Sequence, residues 1–168
     1  MTPNPNAGPV AKPASESAAD MVQVVLPNDA NIHGSVLGGT VMHWMDLAAA
    51  IAAHRHARKP VVTVCVDQIT FEAPIRIGQL AILRARVTLA GRTSMEVAVE
   101  VSSEDLDGGV RRHTSTAYFT FVAIDAAGRP SPVPPLLLST EEERAEHRRA
   151  LERRERRLEM RGGGERAG

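Results

Sequence analysis

Two periods of hydrophobic positions divide the chain. From Gly38 to about Arg58 a stretch dense in Ala, Met and Leu carries apolar residues at helical spacing, with Val41, Trp44, Met45, Ala48, Ile51 and Ala52 on one stripe. Arg58 and Lys59 close it, where positive charge suits the helix dipole. After Pro60 the period becomes alternating. "VVTVCVDQITFE" reads as one long β-branched strand. "QLAILRARVTLA" places Ala81, Leu83, Ala85, Val87 and Leu89 on one face and Arg84, Arg86 and Thr88, beside Ile82, on the other. "SMEVAVEVS" sets Met95, Val97, Val99 and Val101 against Glu96, Ala98 and Glu100, and "STAYFTFVA" sets Ala117, Phe119 and Phe121 against Thr116, Tyr118 and Thr120. Each pattern predicts a strand with one covered and one wetter face. The breaks "PIRIG", "LAGRT" and "EDLDGG" are short and Gly-marked, so consecutive strands are expected to be antiparallel neighbours. With the short strand "MVQVVLP" and the polar loop "NDANIHGS" in front, the pattern predicts an α+β domain, one helix across one antiparallel sheet.

The ends read differently. Residues 1–19 are rich in Pro, Ala, Asn and Ser without an apolar period, the composition of a disordered arm. The domain proper spans 20–135, and "DAAGRPSPVPP" closes it, because so many prolines cannot continue a strand. In 136–168, "STEEERAEHRRALERRERRLEMR" opens with a capping box from Thr140 to Glu143 and runs from acidic to basic, which predicts a charged helix before a frayed "GGGERAG" tail. Its apolar face is thin, so the expectation is a solvated helix packed loosely on the domain or a partner subunit.

Composition narrows the classes of function. The chain has 168 residues, 43% of them hydrophobic and only 3% aromatic, with zero formal net charge. One modest core fits that length, and stacking platforms for nucleic acid do not fit the aromatic content. Glu alternates with Arg in the terminal helix, which argues against a DNA-binding role. The one cysteine, Cys65, leaves no intrachain disulfide and no multi-cysteine metal site, as suits a reducing cytoplasm. No signal-peptide core is evident, and no apolar run reaches the roughly 18–20 residues of a membrane span. A soluble cytoplasmic protein without a membrane partner is expected.

Asp46 is the position that needs chemistry. Its flank of the helix also carries Met42, Ala49, Ala50 and Ala53, so the middle turns lack a polar side. Such a helix should be buried nearly all round, between its own sheet and a second protein surface. A carboxylate there either pairs with a cation, such as an arginine of a neighbouring subunit, or is poised as a base or nucleophile. The loop "GSVLGG" brings Gly34, Gly38 and Gly39 ahead of the helix, where free backbone N–H groups and the dipole could hold an oxyanion.

"NDANIHGSVLGGTVMHWMD", followed by "VVTVCVDQITFEAPIRIGQ", "GRTSMEVAVEV" and "AYFTFVAIDAAGRPSPVP", resembles the hotdog-fold acyl-CoA thioesterases from about Met21 to Pro135. It is most similar to small bacterial acyl-CoA thioesterases and to single repeats of the tandem-hotdog cytosolic acyl-CoA hydrolases of animals. The resemblance implies a long central helix wrapped by an antiparallel sheet, in dimers whose sheets join edge to edge, with a site between subunits. It places the catalytic Asp on Asp46 and the catalytic Asn on Asn31, from different hotdogs, and the carbonyl-polarising N–H on Gly39 with Gly38 nearby. Asp46 then either activates water or attacks the thioester itself, with no metal or prosthetic group. The resemblance also puts coenzyme A over the "GRTS" turn, with Arg92 near its phosphates, Ser94 close by and the pantetheine arm along Val64 to Val66; Arg76 and the terminal-helix arginines are substitutes. The assembly expected is a homo-oligomer of dimers, a trimer of dimers or a tetramer. His33 in "NIHGS" is a loop histidine expected to make an ordinary hydrogen bond. The rival functions are a hotdog hydratase or dehydratase, for which no suitably spaced His stands out, and an acyl-CoA sensor without catalysis, whose usual DNA-binding domain the Pro/Ala arm cannot form.

Overall fold

A computed structural model describes residues 9–67 and 69–164, with side chains to residue 160. The chain runs β1 (Lys12–Pro13), β2 (Ala19–Val24), α1 (Gly38–Ala57), β3 (Val61–Val66), β4 (Thr70–Phe71), β5 (Leu80–Ala90), β6 (Ser94–Glu104), β7 (Arg111–Ala123), β8 (Leu136–Leu137) and α2 (Glu141–Gly164). The main sheet is antiparallel in the order β2-β5-β6-β7-β3, and β4 also pairs with β7. Met45, Ala48, Ala49, Ala52 and Ala53 of α1 are fully buried against Leu83, Val97, Val99, Phe119 and Phe121 of the sheet. Small alanines let the helix lie close to the sheet, and the few large side chains fill what remains. The hotdog expected from the sequence is the fold observed.

The connection through "PIRIG" departs from expectation. β5 pairs with β2 and β3 with β7, so residues 72–79 pass from one side of the sheet to the other instead of turning back as a hairpin. They are held on the way by the loop before α1. Val36 N–H donates to the Ile75 carbonyl at 2.8 Å and Ile77 N–H to the Gly34 carbonyl at 3.1 Å, with Ile75 buried beneath. "VVTVCVDQITFE" is likewise not one strand. A register slip leaves Val64 as an extra residue between the pairs Thr63↔Phe121 and Cys65↔Thr120, and pairing breaks again before β4. β3 is an edge strand with Val62, Val64 and Val66 all exposed, so neither of its faces is fully covered. A second slip, at Thr88, turns Leu89 to the outer face opposite Glu96, away from the core side that alternation gave it.

The outer face is less wet than expected because α2 lies over it. Glu96, Ala98, Ile82 and Thr88 are all buried, and Ala150 of α2 is fully covered. The expected capping box forms: Glu143 N–H donates to Thr140 Oγ1 and Thr140 N–H to Glu143 Oε2, both at 3.2 Å. The helix is not loosely packed. Glu96, 1% exposed, accepts from Arg153 Nη2 at 2.8 Å, Arg157 Nη1 at 3.0 Å and Thr88 Oγ1 at 3.0 Å. The helix also continues through Gly162–Gly164, expected as frayed, because extending an existing helix costs far less than nucleating one.

Much of the supposed disordered arm is ordered, and only residues 1–8 of it lie outside the described residues. β1 pairs in parallel with β8, and Lys12 Nζ donates to the Arg55 carbonyl at 2.6 Å, where a cation meets the negative end of α1. His56 is fully buried beneath this segment, with Ser17 Oγ 3.2 Å from Nδ1 and the Pro134 carbonyl 3.0 Å from Nε2. Burial holds its pKa below the usual histidine range. Composition could not show this, because the segment is held by one end of another element and has no period of its own.

Candidate active site

The loop before α1 is built around Asn31. Its Oδ1 accepts from His33 N–H at 2.8 Å, its Nδ2 donates to Ser35 Oγ at 3.2 Å, and Gly34 N–H closes the turn on the Asn31 carbonyl at 3.0 Å. Gly34 has φ +74°, so its role is this turn. His33 contributes its backbone N–H to the loop, and its side chain is exposed. At the start of α1 the N-cap residue is Leu37, whose side chain cannot cap, and the N–H groups of Gly38, Gly39 and Thr40 precede the first intrahelical bond, from Val41 N–H to the Leu37 carbonyl at 3.1 Å. Gly39 is exposed, and a Cβ added there would meet nothing within 4 Å. The fold itself does not demand a glycine at that position.

Asp46 lies further along α1, partly buried, and its Oδ1 accepts from Thr63 Oγ1 of β3 at 2.9 Å. Thr63 is the residue that sequence reasoning missed. The available signal was its hydroxyl, the only one in the apolar edge strand "VVTVCV". Within one copy of the chain α1 is not buried all round: Met42 (44%), Leu47 (43%) and Ile51 (43%) are exposed. Ile51 therefore leaves the predicted core stripe, while Ala49 and Ala53, expected on the flank facing a second surface, lie in the chain's own core. Asp46 sits in the resulting open apolar surface. Seven residues of helix separate it from Gly39, a rise of about 10 Å.

Of the other candidates, Val64 and Ser94 share a groove of about 260 Å³ with Thr93, Thr120, Arg154 and Arg157, between β3, the "GRTS" turn and α2. Thr120 Oγ1 is buried there without a hydrogen-bond partner among the described residues. Arg92 is exposed and Val66 lies on the open edge strand, and neither lines this groove. Arg154 lies over the turn instead, its Nη1 3.7 Å from where a Cβ on Gly91 would sit. Arg153, stacked 3.5 Å over the Tyr118 ring, feels burial pulling its pKa down, but hydrogen bonds to Glu96 and Glu146 outweigh that and hold it above its usual value. Gly38 lines a separate cavity with Phe71 and Ser115. Among the described residues no three His, Cys, Asp or Glu side chains are grouped to hold a metal ion, and no helix is long and apolar enough to cross a membrane.

The profile of the Thioesterase superfamily matches residues 33–109. An uncharacterized acyl-CoA thioester hydrolase of Bacillus subtilis, YkhA, is 39% identical over 145 residues, covering 86% of this chain and 84% of the relative. The chain belongs to the hotdog-fold acyl-CoA thioesterase family. It is also 40% identical to the acetyl-coenzyme A thioesterases of Rattus norvegicus and Mus musculus over 83% of its own length, and spans about a quarter (25%) of theirs. Among solved members of the family, an apo-hexameric acyl-CoA thioesterase superposes with a TM-score of 0.87 at 38% identity, covering 90% of this chain and 97% of that one. The acyl-CoA hydrolase of Staphylococcus aureus in complex with butyryl coenzyme A, coenzyme A and coenzyme A disulfide superposes with 0.86 at 35% identity, over 93% and 95%. Alanine variants of that enzyme at an aspartate, an asparagine and a threonine superpose equally well, the asparagine fifteen residues before the aspartate and the threonine seventeen after it.

Proposed function

We propose that this protein hydrolyses acyl-CoA to a free carboxylic acid and coenzyme A, in the cytoplasm and without metal or prosthetic group, at a site shared by two copies of the chain. The observation that carries the reading is Asp46, oriented by the Thr63 hydroxyl at 2.9 Å on an open apolar face. Asn31, Asp46 and Thr63 stand at the same separations as the three residues replaced in the Staphylococcus aureus enzyme. In this reading the roughly 10 Å along α1 between Asp46 and Gly39 is met by a second copy, whose Gly39 and Asn31 meet Asp46 of the first. A two-fold axis near the exposed Met42 and His43, midway between these positions, makes the contact self-complementary and yields two sites per dimer. It also covers Leu47, Ile51 and the valines of β3, and lets the two β3 edges pair. Further association of such dimers, into a hexamer or a tetramer, extends the assembly.

In the proposed site the thioester carbonyl oxygen rests on the Gly39 N–H, with Gly38 nearby, where each such donor contributes roughly two to three powers of ten in rate. Thr63 occupies Oδ1 of Asp46 and leaves Oδ2 for chemistry. Oδ2 takes a proton from water as the water oxygen bonds to the carbonyl carbon, with Asn31 orienting the water. When the C–S bond breaks, that proton passes to the departing sulfur. In the other route Oδ2 itself bonds to the carbonyl carbon, expelling the thiolate and leaving an anhydride that water opens. The coenzyme lies along the groove with Val64 and Ser94, its phosphates near Arg154 and Arg92 and a pantetheine amide on Thr120 Oγ1. Val66 continues that wall along the edge strand.

Mixing inactive variants tests the shared site. Asp46→Asn and Asn31→Ala are each expected to lose turnover by at least about a hundredfold while still folding. After subunit exchange, each mixed dimer holds one site with both residues intact and should recover up to half the wild-type activity. No recovery despite demonstrated exchange sinks the two-copy site. Single turnover in ¹⁸O-water separates the two chemical routes, since only the anhydride route can leave label in Asp46.

A further inference from the structure

Beside the start of α1 lies a second cavity, of about 310 Å³, lined by Val36, Gly38, Val41, Phe71 and Ile75 among others. Its lining is mostly apolar; of its three polar side chains, Glu72 is exposed, Thr114 is already hydrogen-bonded, and Ser115 is left. Ser115 of β7 is fully buried on the inward face that Ala117, Phe119 and Phe121 continue, and its hydroxyl has no hydrogen-bond partner among the described residues. Its neighbour Thr114 shows that the strand can satisfy a hydroxyl here. Thr114 is the extra residue where the pairing slips after Val101↔Ser115, and its Oγ1 donates to the Val101 carbonyl at 2.9 Å. An orphaned buried hydroxyl costs roughly 1–3 kcal/mol, which an alanine of nearly the same size would avoid. An unsatisfied hydroxyl in a largely apolar cavity is an arrangement that orients a ligand.

We propose that this cavity receives the acyl group and that Ser115 selects neutral acyl chains carrying an oxygen beyond the carbonyl, as a hydroxyl or keto group. The inference rests on the thioesterase reading. Gly38 joins the cavity to the N–H groups that hold the thioester carbonyl there, so the acyl chain continues past them towards Ser115. The ligand oxygen accepts from, or donates to, the Ser115 hydroxyl and satisfies it. Glu72, exposed in the same lining, disfavours a chain that ends in a carboxylate. Ser115 is thus a specificity residue that takes no part in the bond-making steps.

The test is a panel of matched thioesters, butyryl-, 3-hydroxybutyryl-, acetoacetyl- and succinyl-CoA, assayed by thiol release with the wild type and Ser115→Ala. The wild type is expected to favour the hydroxy and keto substrates over butyryl-CoA in kcat/KM by at least about fivefold, the yield of one added hydrogen bond. Ser115→Ala should lose that preference and melt no lower than the wild type. An unchanged preference in the variant, or a wild type indifferent to the oxygen, overturns the proposal. So does a lower melting temperature in Ser115→Ala, which would make the hydroxyl structural. Calorimetric binding of butyryl- and 3-hydroxybutyryl-CoA to Asp46→Asn, with and without Ser115→Ala, reads the cavity apart from catalysis. If no thioester is cleaved by the wild type yet the affinity ratio depends on Ser115, the hydrolase reading fails and the cavity assignment stands.

Discussion

Replacing Glu96 with Gln keeps the side chain's shape and removes the charge at the centre of the contact between α2 and the sheet. Glu96 is 1% exposed, and the two arginines it holds, Arg153 and Arg157, have side chains only 13% and 11% exposed. Breaking a buried ion pair by removing one partner costs about 3–5 kcal/mol, because the other charge stays desolvated. Three features lower that figure here. Arg153 keeps Glu146 at 2.7 Å and the Tyr118 ring, Arg157 keeps Asp67 at 2.5 Å, and a glutamine oxygen still accepts one bond. A loss of about 2–3 kcal/mol is expected, or roughly 5–10 °C in Tm for a chain of this length. Thermal melts by circular dichroism must be run at one protomer concentration, since association contributes to apparent stability. The loss should persist at 0.5 M salt, because buried pairs are little screened, whereas removing Glu141, whose pairs with Arg144 and Arg148 are exposed, should cost little at any salt. A Tm for Glu96→Gln within a degree of wild type would show that α2 is held by its apolar contacts alone.

Four further outcomes are expected. Thr63→Val should lower kcat by about tenfold or more with KM and Tm nearly unchanged, as steady-state kinetics beside a melt will show. Gly39→Ala should fold and assemble normally, since its Cβ meets nothing, yet lose turnover if the N–H there is approached by substrate. Arg154→Ala should raise KM for acyl-CoA more than Arg92→Ala does and flatten the dependence of KM on salt, with kcat preserved. His56, whose pKa burial holds below its usual 6.5, supports stability fully above that value and ceases to do so as pH falls through the lowered folded value, because the unfolded chain takes up the proton first. Tm measured between pH 7.5 and 4.5 should therefore fall less steeply in His56→Gln than in wild type.

Where a residue's role is fixed by local periodicity, the sequence alone was enough. The stripe from Val41 to Ala52 and the inward faces of β5, β6 and β7 follow from 3.6- and 2-residue repeats and recur in the core, Ile51 and Leu89 apart. Those two exceptions have physical causes that periodicity does not carry. Leu89 is turned by a slip at Thr88, and Ile51 lies on the exposed side of α1 with Met42 and Leu47. What could not be read in advance depends on partners distant in the chain. Glu96 alternates like any surface residue until α2, more than fifty residues later, supplies Arg153 and Arg157. Thr63 has no meaning in "VVTVCV" until the fold sets it beside Asp46. The candidate site lies between these cases. Asn31, Gly39 and Asp46 stand out by residue type and spacing, but the separation of Gly39 from Asp46 within one chain follows only from the geometry of α1. Seven helical residues separate Asp46 from Gly39 by a rise of about 10 Å, a spacing that the proposed second copy accounts for. The exposed Met42, Leu47 and Ile51, the open valine edge and the spacing of Asp46 from Gly39 are all accounted for by the proposed second copy of the chain laid against α1. A solution measurement that found an active monomer would have to explain all three separately.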